Sequence, residues 1–110
     1  MKFTVQRSTW YRGNGALDSR LLRADGQKCC LGFFGLACGI SELALLDKPS
    51  PRSVKCKHPK DFMFLTNGIP DSQLCGEIMR TNDDSMDEKN RENKLTNLFK
   101  SAGHTVEFVD

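Results

Sequence analysis

The sequence predicts an α+β fold: a small, mostly antiparallel sheet made of an N-terminal strand, a C-terminal strand and a hairpin, with helices packed on one face. Three observations carry this. Lys2–Gln6 alternates, with Phe3 and Val5 set against Lys2, Thr4 and Gln6, as a half-buried strand does. Thr105–Val109 alternates in the same way, with Val106 and Phe108 set against Glu107. Leu95, Leu98, Phe99 and Ala102 recur at helical spacing just before it.

The elements follow in order. Trp10 and Tyr11 lead into Arg12-Gly13-Asn14-Gly15, a turn whose glycines are free to take positive φ. Ala24-Asp25-Gly26 separates Arg20-Leu21-Leu22-Arg23 from Gln27-Lys28-Cys29-Cys30, and Asp-Gly between such runs signals a hairpin. Residues 30–38 read as a short buried helix with Leu31, Phe34 and Cys38 on one stripe and Gly39 just past its end. Gly32 and Gly35 lower its helix propensity by roughly 1 kcal/mol each, so another element should approach it closely. Ser41 can cap a brief turn over residues 42–46.

Residues 47–61 form an irregular basic loop holding Lys55-Cys56-Lys57-His58, after which Phe62, Phe64 and Leu65 return the chain to the core. Pro70-Asp71-Ser72 opens a helix carrying Leu74, Cys75, Ile78 and Met79 on one face. Ser85-Met86-Asp87-Glu88 matches a capping box with Ser85 as N-cap, and Gly103 ends the last helix. The reading is one domain over residues 1–110.

Composition narrows the function classes. Charged residues are 27 % and the net charge is +2, values that exclude a highly charged disordered tail or a collagen-like chain. The longest apolar run, residues 29–40, is too short to cross a bilayer, and residues 1–7 lack the apolar core of a signal peptide. Residues 1–60 carry 11 Lys/Arg against 4 Asp/Glu, whereas residues 61–110 carry 5 against 10. That asymmetry points to an acidic partner for the basic half, or to two halves that neutralise each other. The five cysteines, Cys29, Cys30, Cys38, Cys56 and Cys75, are odd in number and include no Cys-x-x-Cys pair, so reduced thiols in a cytoplasm are expected.

Three candidate sites follow. Cys30 at a helix start and His104 at a strand start have the order of a papain-like thiol hydrolase, with Asp110 available to orient the imidazole; a core thiol beside a surface histidine is the plainer alternative. Cys56 and His58 offer two zinc ligands, which Cys29, Cys30 or His104 could complete, but a structural site normally supplies two such pairs. Asn82-Asp83-Asp84 with Glu88 lacks the frame of a calcium loop and suits a capped helix N-terminus better.

The third candidate is an anion or nucleotide site. Arg12, Gly13 and Gly15 would present a guanidinium and backbone N–H groups, Arg20 and Lys28 would add attraction, and Trp10 would supply a flat wall. A tight turn with solvated arginines is the alternative. Double-stranded DNA is disfavoured because no basic recognition helix appears, and no cofactor is implied.

The block Trp10-x-Arg12-Gly13, Leu21-Leu22 and Asp25-Gly26-x-Lys28-Cys29-Cys30-Leu31-Gly32-Phe33 resembles small proteins carried by bacteriophages and prophages. The ending Leu98-Phe99-x-x-x-Gly103-x-x-Val106-Glu107-Phe108-Val109 looks similar to theirs, and together these segments cover about half of the chain. The resemblance implies a setting rather than a chemistry: an accessory protein in the cytoplasm of a bacterial host cell. By analogy of context such a protein inhibits or sequesters a host defence protein or a small anionic signal by stoichiometric binding. The thiol hydrolase of Cys30 and His104 and a zinc-stabilised module are the alternatives.

Overall fold

A computed structural model describes residues 1–13, 19–68 and 71–110; residues 14–18 and 69–70 lie outside the described residues. Strands β1 (Lys2–Gln6) and β2 (Thr105–Val109) fall where the alternation places them. They pair with each other, Phe3 opposite Val106 and Val5 opposite Phe108.

The pairing is parallel, which overturns the expected antiparallel sheet. Alternation reports which face is buried and carries no direction. Direction comes from the helix that precedes β2: Gly103, at φ +85°, turns the chain so that the Thr105 N–H donates to the Met1 carbonyl at 2.9 Å. The starts of both strands therefore lie side by side, and the whole intervening chain serves as the crossover that a parallel pair requires. Phe3, Val5 and Val106 are buried while Lys2, Thr4, Gln6, Thr105 and Glu107 face water. One wet face is ordinary for antiparallel sheets and unusual for parallel ones, which is why the pattern misleads.

The hairpin also fails as a source of strands. Its turn is present, with Gly26 at φ +88° and the Arg23 N–H donating to the Gln27 carbonyl at 2.8 Å. Its arms pair outward instead: Lys28 bridges to Trp10 and Leu22 to Leu46, each in parallel sense. Cys29 must leave the turn at once to become the N-cap of helix α1 (Cys30–Ala37), so no length remains for a ladder.

Helix α1 is buried along Cys30, Leu31, Gly32, Phe34 and Gly35. Its two glycines mark close approaches, as expected. A Cβ on Gly32 would stand 1.7 Å from the Leu21 carbonyl oxygen, and one on Gly35 would stand 3.1 Å from Leu45 Cδ2. Phe34 forms the centre of an aromatic cluster, with ring centroids 5.0 Å from Phe3, 5.5 Å from Phe99 and 6.3 Å from Phe62. Ser41 caps α2 (Glu42–Leu45) by accepting from the Ala44 N–H at 3.2 Å.

Beyond the loop, a 3-10 turn at Lys60–Leu65 buries Phe62 and Leu65. Helix α3 (Asp71–Asp83) and helix α4 (Glu88–Ser101) follow. The N-cap of α4 is Asp87, whose carboxylate accepts from the Asn90 N–H at 3.2 Å, and not Ser85. Helix α4 thus starts later than the capping box predicts because Glu88 has other partners: it accepts from Arg12 Nε at 2.6 Å and from Arg91 Nε at 3.1 Å.

Candidate functional site

The ends of two helices meet in the interior. Arg91, on α4 and fully buried, donates from Nη1 to the Thr81 carbonyl at 2.6 Å and to the Asn82 carbonyl at 2.9 Å. These belong to the last turn of α3, whose carbonyls have no partner within the helix, so a cation there satisfies both the hydrogen bonds and the dipole. Gly13 adds its N–H to the same Asn82 carbonyl at 3.0 Å. With φ at +73°, and with a Cβ there set to stand 2.9 Å from Arg91 Nη2, the position requires glycine.

The Asn82 side chain, 1 % exposed, uses its full hydrogen-bonding capacity. Its Oδ1 accepts from Trp10 Nε1 at 2.7 Å and from the Cys30 N–H at 3.0 Å. Its Nδ2 donates to the Tyr11 carbonyl at 3.0 Å and to Asp83 Oδ1 at 2.9 Å. Cys29 makes no side-chain cap bond, so Asn82 caps α1 from another helix.

Asp83 lies beside it, 6 % exposed, on a cavity of about 280 Å³. Ser19 Oγ and Asn82 Nδ2 both donate to Asp83 Oδ1. Among the described residues Oδ2 has no partner, and no Lys, Arg or His forms an ion pair with this carboxylate. Leu21, Leu31 and Met79 form the apolar walls, Cys29 and Cys30 complete the interior, and Arg20, Pro49 and Ser50 also line the space. Burial, with a smaller push from Asp83, raises the Cys29 thiol to about 12. Burial, then Cys29 and Asp83, push Cys30 well above the ordinary thiol range. Both are therefore protonated at neutral pH and poor nucleophiles.

The residues expected to bind an anion are engaged within the protein. Arg12 pairs with Glu88, donates to the Trp10 carbonyl at 3.0 Å and lies 4.3 Å over the Trp10 ring. Burial pushes Glu88 up, but Arg12 and then Arg91 outweigh it and hold the carboxyl below its ordinary value. Trp10 is buried, with Phe108 5.1 Å from its ring centroid. Lys28 Nζ donates to the Gly26 carbonyl at 3.0 Å and lies over Phe33. Arg20 pairs with the exposed Asp47 at 3.4 Å, and of this group it alone reaches the cavity. Gly13 donates to Asn82, and Gly15 lies outside the described residues.

The other two candidates are also placed. Cys30 is fully buried and makes no hydrogen bond to His104 among the described residues. His104 Nδ1 instead meets the Met1 amine at 3.0 Å, its ring packs on Phe34 and Phe64, and Asp110 pairs with Arg7. Both ring nitrogens of His58 have protein partners, Thr66 Oγ1 at 3.2 Å and the Val54 carbonyl at 3.0 Å, while Cys56 is exposed. Among the described residues no group of three His, Cys, Asp or Glu side chains could hold a metal ion.

Sequence reasoning assigned Asn82 and Asp83 to the start of a capped helix, whereas they end α3 and are buried. A signal was present. The apolar face Cys75, Ile78, Met79 continues at helical spacing to positions 82 and 83, so two polar side chains extend a buried stripe.

Comparison with protein-family models, curated proteins and solved structures gives no match to this chain.

Proposed function

We propose that this is a stoichiometric binding protein of the phage accessory kind, and that it captures a small molecule in the cavity at the junction of α1 and α3. One observation carries the reading: a cavity of about 280 Å³ with apolar walls from Leu21, Leu31 and Met79 carries the Asp83 carboxylate, which Ser19 and Asn82 hold in place through Oδ1. Apolar walls with a few fixed polar groups are the usual make-up of a small-molecule site, and about 280 Å³ lies just under their usual size. Capture without turnover is favoured because the two thiols on the cavity are protonated and His104, the base expected for Cys30, meets the Met1 amine instead. The phage-type setting rests on the resemblance of the Trp10-to-Phe33 block and of the C-terminal segment.

Native mass spectrometry of the protein after incubation with a bacterial metabolite extract tests this. A discrete small-molecule adduct should appear, leave on denaturation and rebind with unchanged mass. Ser50→Trp, which fills the cavity from a half-buried wall position, should abolish it. An adduct that survives in that variant, or a ligand whose mass changes on incubation, overturns the reading.

A further inference from the structure

The ion pairs leave one stretch of the basic half unanswered. Lys2, Arg7 and Arg12 meet acids of the second half, and Arg20 and Arg23 meet Asp47 and Asp25. Among the described residues no ion pair includes Lys48, Arg52, Lys55, Lys57 or Lys60. The acids nearest to them in sequence act elsewhere: Asp47 pairs with Arg20, and Asp61 lies close enough to Cys38 and His104 to influence both. Lys55 and Lys57 are exposed and line an open groove of about 470 Å³, to which Val54 and Met63 give apolar surface. His58 fixes the shape of this groove. Its Nε2 donates to the Val54 carbonyl at 3.0 Å, its Nδ1 meets Thr66 Oγ1 at 3.2 Å, and its ring centroid lies 5.4 Å from that of Phe62. These contacts tie the loop to the 3-10 turn, so the groove is formed before anything binds and the ordering cost of binding is low. It shares no lining residue with the cavity at α1 and α3 and is independent of the small-molecule reading.

Charge and surface together select the occupant. Exposed lysines attract an anionic partner, and Met63, 39 % exposed, is an adaptable apolar contact. A single-stranded nucleic acid needs flat rings on which its bases stack, and the ring of His58 is already engaged through both nitrogens and against Phe62. None of the described lining residues is an arginine, the side chain that suits phosphate by its paired donors. We infer that this groove is a docking site for an acidic peptide segment of a partner protein, with carboxylates on Lys55 and Lys57 and an apolar side chain against Met63 and Val54.

A random linear peptide library selected on the immobilised full chain, in reductant and at low salt, tests it. The enriched sequences should set a Leu, Ile, Met or Phe among several Asp or Glu. The best of them, made with a fluorophore and titrated by anisotropy, should lose at least about tenfold in affinity when Lys55→Glu and Lys57→Glu are combined, since two attractions become two repulsions. Lys94→Glu with Lys100→Glu makes the same change in net charge at exposed positions of α4 and should leave the affinity within about twofold, because screening confines the effect to near charges. Met63→Ser should weaken binding by removing the apolar contact, and bound peptide should slow iodoacetamide labelling of Cys56, which lines the groove. An oligothymidylate of matching charge should bind more weakly than the peptide. Selection without enrichment of acids, or equal losses in the two charge-reversed proteins, overturns the inference. Tighter binding of the oligothymidylate, abolished by the Lys55 and Lys57 changes, would give the groove to nucleic acid and overturn it as well.

Discussion

Replacing glycine by alanine at three helical positions should give three different outcomes, each set by what the new methyl group meets. At Gly32 the Cβ would lie 1.7 Å from the Leu21 carbonyl oxygen and 2.8 Å from its carbon. Ordinary contact begins near 3.4 Å, so backbone must separate from backbone by more than an ångström. Leu21 cannot yield freely: it is 1 % exposed, its N–H donates to the Lys48 carbonyl at 2.9 Å, and the Cys29 N–H holds the adjacent Arg20 carbonyl. Overpacking a tight core costs about 1–3 kcal/mol and occasionally more, and a clash with backbone belongs at the upper end. Alanine returns roughly 1 kcal/mol of helix propensity, so a net loss of about 2–3 kcal/mol is expected.

At Gly35 the nearest atoms are the methyl ends of Leu45 at 3.1 and 3.4 Å, which can shift by tenths of an ångström. The propensity gain should then leave stability within about 1 kcal/mol of the parent. At Gly76, inside α3, nothing lies within 4 Å, so alanine should stabilise by about 0.5–1 kcal/mol. Urea unfolding of the three variants measures all of this, and in thermal unfolding Gly32→Ala should lower Tm by roughly 8 °C or more. A Gly32→Ala protein within 1 kcal/mol of the parent, or a Gly76→Ala protein below it, would refute the packing argument.

Arg91→Met should cost about 3–5 kcal/mol in urea unfolding, because it strips the Thr81 and Asn82 carbonyls of their donor and leaves Glu88 short of a partner; a loss under 1 kcal/mol contradicts that role. Iodoacetamide at neutral pH should label the exposed Cys56 first and reach Cys29 and Cys30 only on unfolding, with five adducts in denaturant; early modification of Cys30 would revive a thiol mechanism. Burial, followed by the Met1 amine, holds His104 below its ordinary value of 6.5 despite an opposing pull from Asp61. The unfolded chain therefore takes up the proton first, so the stability this residue contributes is present above pH 6.5 and declines as pH falls below it. His104→Gln should flatten the dependence between pH 7 and 5, and an unchanged slope would assign it to other groups.

What the sequence discloses divides along a physical line. Period and local chemistry are legible, so both strands, the Ser41 cap, the glycine approaches on α1 and the return of Phe62 to the core are all found in place. Relations between distant residues are not. The direction of β2 depends on where α4 points, and alternation is blind to it. The two-residue displacement of the α4 cap has the same origin. Glu88 reads locally as the third residue of a capping box, yet its partner Arg12 stands 76 positions away.

The charge of the site shows this limit most sharply. Counted along the chain, the first 60 residues are basic and suggest an anion receptor. Folding draws acidic residues of the second half onto those cations: Glu92 onto Arg7 and Glu88 onto Arg12, with Asp47 on Arg20 from within the first half. These pairs are partly exposed and each contributes little to stability, but together they neutralise the face that net charge advertises. Asp83 is left out of that exchange. It sits at the end of a buried apolar stripe and on the wall of the cavity, where Ser19 and Asn82 hold one of its carboxylate oxygens. Replacing Asp83 by Asn keeps an oxygen that can accept from Ser19 and Asn82, so urea unfolding should place the variant within about 1 kcal/mol of the parent, and a larger loss would show that the second carboxylate oxygen has a structural role of its own.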